Sequence, residues 1–105
     1  MSIQRIILNK DKSIFVVKLK LDTGDLIPEH FSSSHVTATV TSGMGVFTIE
    51  KEAKKITKGD FLSMKPYEKH SIKAVEPLEI IVHHIALNSE KNSDVSGKIC
   101  GLSEL

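Results

Sequence analysis

Five histidines are the residues of this chain most able to do chemistry: His30, His35, His70, His83 and His84. Neutral imidazole is a ready ligand for zinc, iron, manganese, nickel or copper, and it also serves as a hydrogen-bonding or proton-handling group. His30 follows Pro28 and Glu29 at the start of a strand pattern, shortly after the Thr23-Gly24-Asp25 turn. His70 lies beyond the loop at Pro66 and opens another strand. Two histidines placed just after turns can converge at one end of a barrel. A tight metal site takes three protein ligands or more, so a partner must come from His35, His83 or His84. His83 and His84 are adjacent in a strand, so one faces the interior and the other faces out. A hairpin at Glu76-Pro77 would pair that strand with the strand opened by His70. A register that sets His84 opposite His70 makes a trio of His30, His70 and His84; a shift of one brings His83 inward instead. His35 has the opposite parity to Val36 and points away from the interior unless a bulge re-aims it.

The elements that must hold these groups are strands. Apolar residues recur with period two and no helical period is sustained. Strands are expected over Ile3 to Leu8, Ser13 to Leu21, His35 to Thr41, Val46 to Glu50, Ala53 to Thr57, Phe61 to Met64, His70 to Val75 and Leu78 to Leu87. Turn residues punctuate them, and the glycines of Ser42-Gly43-Met44-Gly45 suit a tight hairpin. Short strands at this regular spacing predict an all-β sandwich or closed barrel. Residues 1–12 read as an N-terminal strand, 13–87 as the barrel and 88–105 as a polar tail. Ser32 and Ser34 share the parity of His30, and Val36, Ala38 and Val40 share one face; with Tyr67 in the Pro66 loop they are the candidate pocket lining. Met44 and Met64 read as core filler. Lys51, Lys54, Lys55 and Lys58 read as a solvated edge that resists aggregation.

Composition narrows the function classes. Over 105 residues, Lys plus Arg (14) nearly balances Asp plus Glu (13), so no field favours nucleic acid or an anionic membrane. The longest apolar runs, such as Ile80-Ile81-Val82, are strand-sized, and Met1 to Arg5 lacks the apolar core of a signal peptide. The lone Cys100 cannot form an internal disulfide and has no base near it in sequence; a reducing cytoplasm is expected.

From about Val17 to Leu87 the chain resembles the cupin superfamily. Its first motif is a glycine, five residues, His-x-His, three or four residues, Glu, six residues and glycine; here Gly24, His30 and a closing Gly43 stand at those distances. Gly59-Asp60 through Lys65-Pro66 to His70 follows the second motif, with Tyr67 where glycine is usual. The resemblance implies a small antiparallel double-stranded β-helix, the jelly-roll barrel. It also implies a metal held by three histidines and a glutamate, but Ser32 replaces the second histidine and Val36 the glutamate. The expected function is a barrel that binds a small molecule, with one divalent metal (Zn, Fe, Mn, Ni or Cu) at its mouth. The alternatives are a metal-dependent dioxygenase or isomerase and a metal-free sensing module. Similar cupins pair through sheet faces and exchange N-terminal strands, so a homodimer is expected as well.

Overall fold

A computed structural model describes residues 3–85, and alternation of burial explains its architecture. Nine strands form: β1 (Gln4–Lys10), β2 (Ile14–Leu21), β3 (Leu26–His30), β4 (His35–Ser42), β5 (Met44–Ile49), β6 (Glu52–Thr57), β7 (Phe61–Met64), β8 (His70–Ala74) and β9 (Leu78–Ile85). Along β4 and β9 every second residue is buried, the signature of a strand with one face against a core. Two antiparallel sheets result, ordered β1-β2-β9-β4-β7 and β3-β8-β5-β6. Val17 and Leu19 from β2, Val40 from β4 and Ile80 from β9 meet Ile27, Phe47, Ile56 and Ile72 from the opposite sheet. Burying each large side chain of this kind contributes about 1.5–3 kcal/mol.

The connections correct two expectations. Ser42 to Gly45 is no hairpin: β4 and β5 belong to different sheets, and the segment is a corner between them. Gly43 alone of its two glycines takes a positive φ, at 90°, while Gly45 lies inside β5. Nor do β8 and β9 pair across Glu76-Pro77; β8 lies between β3 and β5, and β9 between β2 and β4. Period two shows which residues of a strand face inward, but not which sheet the next strand joins. The two corners brace each other, since the N–H groups of Val75 and Glu76 both donate to the Met44 carbonyl, at 2.9 and 3.1 Å.

Two further features follow from local chemistry. The β5–β6 hairpin turns on Glu50 and Lys51, with φ of 48° and 84°, the two-residue turn that matches the twist of its strands. Pro28 lies within β3, which is tolerated because β3 is an edge strand. His30 therefore ends a strand instead of beginning one. The polar tail at 88–105, Cys100 and the end of the last expected strand lie outside the described residues. Among those described, no helix is long and apolar enough to cross a membrane.

Candidate functional site

His30 reaches the interior through an irregularity in β3. Ile27 pairs with Ile72, and the next pair is His30 with His70, so three steps on β3 match two on β8. Strict alternation from the buried Ile27 would turn Glu29 inward and His30 outward. The extra residue reverses that order and sets His30 beside His70. Their rings meet edge to face, with centroids 4.3 Å apart.

Both rings have their Nδ1 committed. His30 Nδ1–H donates to the Pro28 carbonyl at 2.8 Å, and His70 Nδ1–H donates to the Glu68 carbonyl at 2.9 Å. A carbonyl only accepts, so each neutral ring carries its proton on Nδ1 and keeps a lone pair on Nε2. His84 is the inward member of its pair, as the trio required. Its route there differs from the expected one, because its neighbours in the sheet are Phe15 on β2 and Val36 on β4, not His70. It is 5% exposed, and its Nδ1 is buried without a hydrogen-bond partner among the described residues.

The three histidines line a cavity of about 30 Å³, walled by Val36, Ala38 and Met64 on one sheet and Ile27 and Ile72 on the other. Burial pulls His70 down to about 4, the neighbouring His30 adds to the effect, and the bond to the Glu68 carbonyl opposes it. Burial likewise pulls His84 down to about 3, with His70 and then His30 contributing. Both rings are neutral at pH 7, and among the described residues no carboxylate, lysine or arginine lines the cavity.

The other candidates lie elsewhere. His35 is on the outer face of the five-stranded sheet, its Nε2 2.8 Å from Ser63 Oγ, and β4 pairs regularly from His35 to Val40, its one irregularity lying beyond, between Val40 and Ser42. His83 faces the same side, between Val16 and Thr37. Ser32 and Ser34 are buried but do not line the cavity; Ser32 Oγ accepts the Ser34 N–H at 3.0 Å, capping the turn between β3 and β4. Tyr67 is 64% exposed, its N–H donates to the Ser32 carbonyl at 2.7 Å, and its ring lies 5.9 Å from that of Phe31. Sequence reasoning passed over Phe31, an aromatic in a loop with no periodic pattern to mark it.

This donor set does not fit the metal centre that the resemblance implies. Among the described residues no three His, Cys, Asp or Glu side chains are grouped so as to hold an ion. Val36, at the glutamate's position, is apolar wall, and Ser32, at the second histidine's, closes a backbone turn.

No family model matches the chain, and no curated protein matches it. Solved structures do. A conserved protein of unknown function from Streptococcus pyogenes superposes with a TM-score of 0.78 at 22% identity, covering 83% of this chain and 76% of that one. A cupin superfamily protein from Desulfitobacterium hafniense gives 0.79 at 12% identity, covering 82% and 79%. An RmlC-like cupin with a double-stranded β-helix fold from Methanocaldococcus jannaschii gives 0.75 at 19% identity, covering 86% and 84%. With two antiparallel sheets wound about one core and these neighbours, the chain has the double-stranded β-helix fold of the cupin superfamily.

Proposed function

We propose that this barrel is a receptor for a small neutral molecule, which places one hydrogen-bond donor, such as a hydroxyl, in the cavity between His30, His70 and His84. The buried, unpartnered Nδ1 of His84 carries the reading. A polar atom left so costs about 1–3 kcal/mol, which a ligand or an ordered water recovers. Nε2 of His30 and of His70 supplies two acceptors, and the described lining offers no lysine or arginine to a carboxylate or phosphate. The volume suits a single hydroxyl or water.

The test uses chelator-treated full-length protein and fragment titrations followed on the histidine ring signals by NMR. Alcohol fragments are expected to shift His30 and His70 signals without metal, and carboxylate fragments are not. His30→Ala/His70→Ala should weaken alcohol binding by roughly ten-fold, the loss of the one hydrogen bond that the hydroxyl donates to either Nε2. Binding that appears only after a divalent ion is added would overturn this reading in favour of a metalloprotein of dioxygenase or isomerase type. So would near-stoichiometric metal in the untreated parent that the double variant lacks.

The same proposal extends to a homodimer. All seven residues of β1 are exposed, Ile6, Ile7 and Leu8 among them, and among the described strands β1 pairs with β2 alone. An edge so apolar is usually covered. Sedimentation equilibrium at micromolar concentration should give twice the chain mass, and Ile6→Lys/Leu8→Lys should give the monomer. A parent of monomer mass refutes the dimer.

A further inference from the structure

Four strands end the two sheets, β1 and β7 in one and β3 and β6 in the other. An edge strand is a template for pairing with another chain, and charges or prolines ordinarily guard it. β1 carries Arg5 and Lys10, β3 carries Pro28 and Glu29, and β6 carries Glu52, Lys54 and Lys55. β7 has neither a charge nor a proline. The turn before it decides which of its backbone groups are free. Val40 N–H donates to the Asp60 carbonyl at 2.9 Å, and the Val40 carbonyl accepts from Gly59 N–H at 2.8 Å, so Val40 and Asp60 are a hydrogen-bonded pair. Bonded and non-bonded pairs then alternate along β4 and β7. The backbone groups of Leu62 turn toward Ala38, and those of Phe61 and Ser63 turn away. Among the described strands none takes them up.

A groove of about 440 Å³ lies between this edge and β6. The buried Phe47 and Leu62 line it, together with Ile49 and the 63% exposed Phe61. It shares no lining residue with the histidine cavity. Lys54 lines it too; its cross-strand partner is Phe47, so the lysine stands on the same face of its sheet as that core ring. No described acid pairs with Lys54, nor with Lys51, Lys55 or Lys58 on the same hairpin and the turn after it. Two nearby acids are engaged elsewhere: Asp60 accepts the Thr57 N–H at 2.8 Å, and Glu50 accepts the Lys69 N–H at 2.9 Å. Glu52 lines the groove at the end beside the hairpin turn.

We propose that this groove takes an extended acidic segment of a partner protein, which adds as a strand to β7 and sets a carboxylate against Lys54. The outward N–H and C=O groups of Phe61 and Ser63 supply the main-chain hydrogen bonds, and an apolar side chain on the inner face of the added strand covers Leu62 and Phe47. Charge selects the partner, because a basic strand meets repulsion from four lysines without counterions. A second copy of either edge lacks the required chemistry: β7 carries no acid, and β6 brings two lysines with its single glutamate.

The experiment titrates two end-capped peptides, Glu-Val-Glu-Val-Glu and Lys-Val-Lys-Val-Lys, into the full-length protein and follows backbone amide signals by NMR. The acidic peptide should shift Phe61 and Ser63 and bind roughly ten-fold more tightly than the basic one, a preference that shrinks as salt is raised. Lys54→Glu, at an exposed position, should narrow that preference several-fold. Ser63→Pro removes the outward N–H at an edge where proline is tolerated, and should weaken the acidic peptide by about ten-fold. Ser63→Ala keeps that N–H and should bind as the parent does. Equal affinity for the two peptides overturns the proposal, as do Phe61 and Ser63 amides that stay unshifted at millimolar peptide. Undiminished binding by Ser63→Pro overturns strand addition. Nuclear Overhauser contacts from these amides to residues 88–105 of the protein alone would make the chain's own tail the occupant and overturn a separate partner. Histidine ring signals should hold still throughout, which keeps this result separate from that of the receptor reading.

Discussion

Gly43→Ala is expected to remove roughly 4 kcal/mol or more of folding stability, the largest loss of any single substitution proposed. A Cβ at position 43 would lie 1.9 Å from the Pro77 carbonyl oxygen and 2.8 Å from Leu78 Cα. These are backbone atoms, so no side-chain rotation makes room. The φ of 90° adds about 1–2 kcal/mol for any L side chain. Moving the Pro77 corner would strain the two N–H bonds to Met44, each worth about 1 kcal/mol, and displace the buried Leu78 at the start of β9. The total is roughly 4 kcal/mol or more, against about 5–15 kcal/mol for a whole domain. Gly24 provides the comparison: its φ is 88°, yet nothing lies within 4 Å of its Cβ position. Gly24→Ala should cost the backbone strain alone. Urea unfolding followed by circular dichroism measures both, and equal losses in the two variants would contradict the steric account.

Acid should destabilise the metal-free protein well before its carboxylates titrate. His70 and His84 protonate in the folded chain only near pH 4 and 3, but near 6.5 once unfolded. Between those values the unfolded state binds more protons, so stability rises with pH in this window. Their contribution is complete above pH 6.5 and is lost progressively as pH falls toward 4. Each ring removes up to about 1.4 kcal/mol per pH unit there. Urea midpoints from pH 7 to 4.5 should therefore fall steeply, and His84→Leu should lower the slope by about half. A flat midpoint across that range would show that the rings are open to water.

Much of the barrel could be read along single strands. Alternation in His35 to Thr41 and in the strand from Leu78 follows from one dry face and one wet face, and local chemistry suffices to show it. Pairing across sheets is another matter. Val75, Glu76 and Pro77 suit a hairpin as well as a corner, and only the core that forms on folding distinguishes them. His84 was among the expected inward residues, but its partners on β2 and β4 were not, because a parity argument is indifferent to which strand lies alongside. The His30 and His70 match came from spacing within the resemblance, whereas the bulge that makes it geometrically real leaves no mark in residue type. Tyr67 did leave one: a tyrosine at a position where glycine is usual is the visible trace of a strained backbone.

The irregular pairing in β3 separates two properties that alignments treat as one, the presence of a histidine and its access to the interior. The same residues paired regularly, with no extra residue accommodated between Ile27 and His30, would keep all five histidines, yet would turn His30 outward and present one acceptor fewer to whatever enters. Across related barrels, gaps and insertions in this strand therefore carry as much meaning as substitutions. Counting histidines overstates what a barrel can hold wherever strand length has changed.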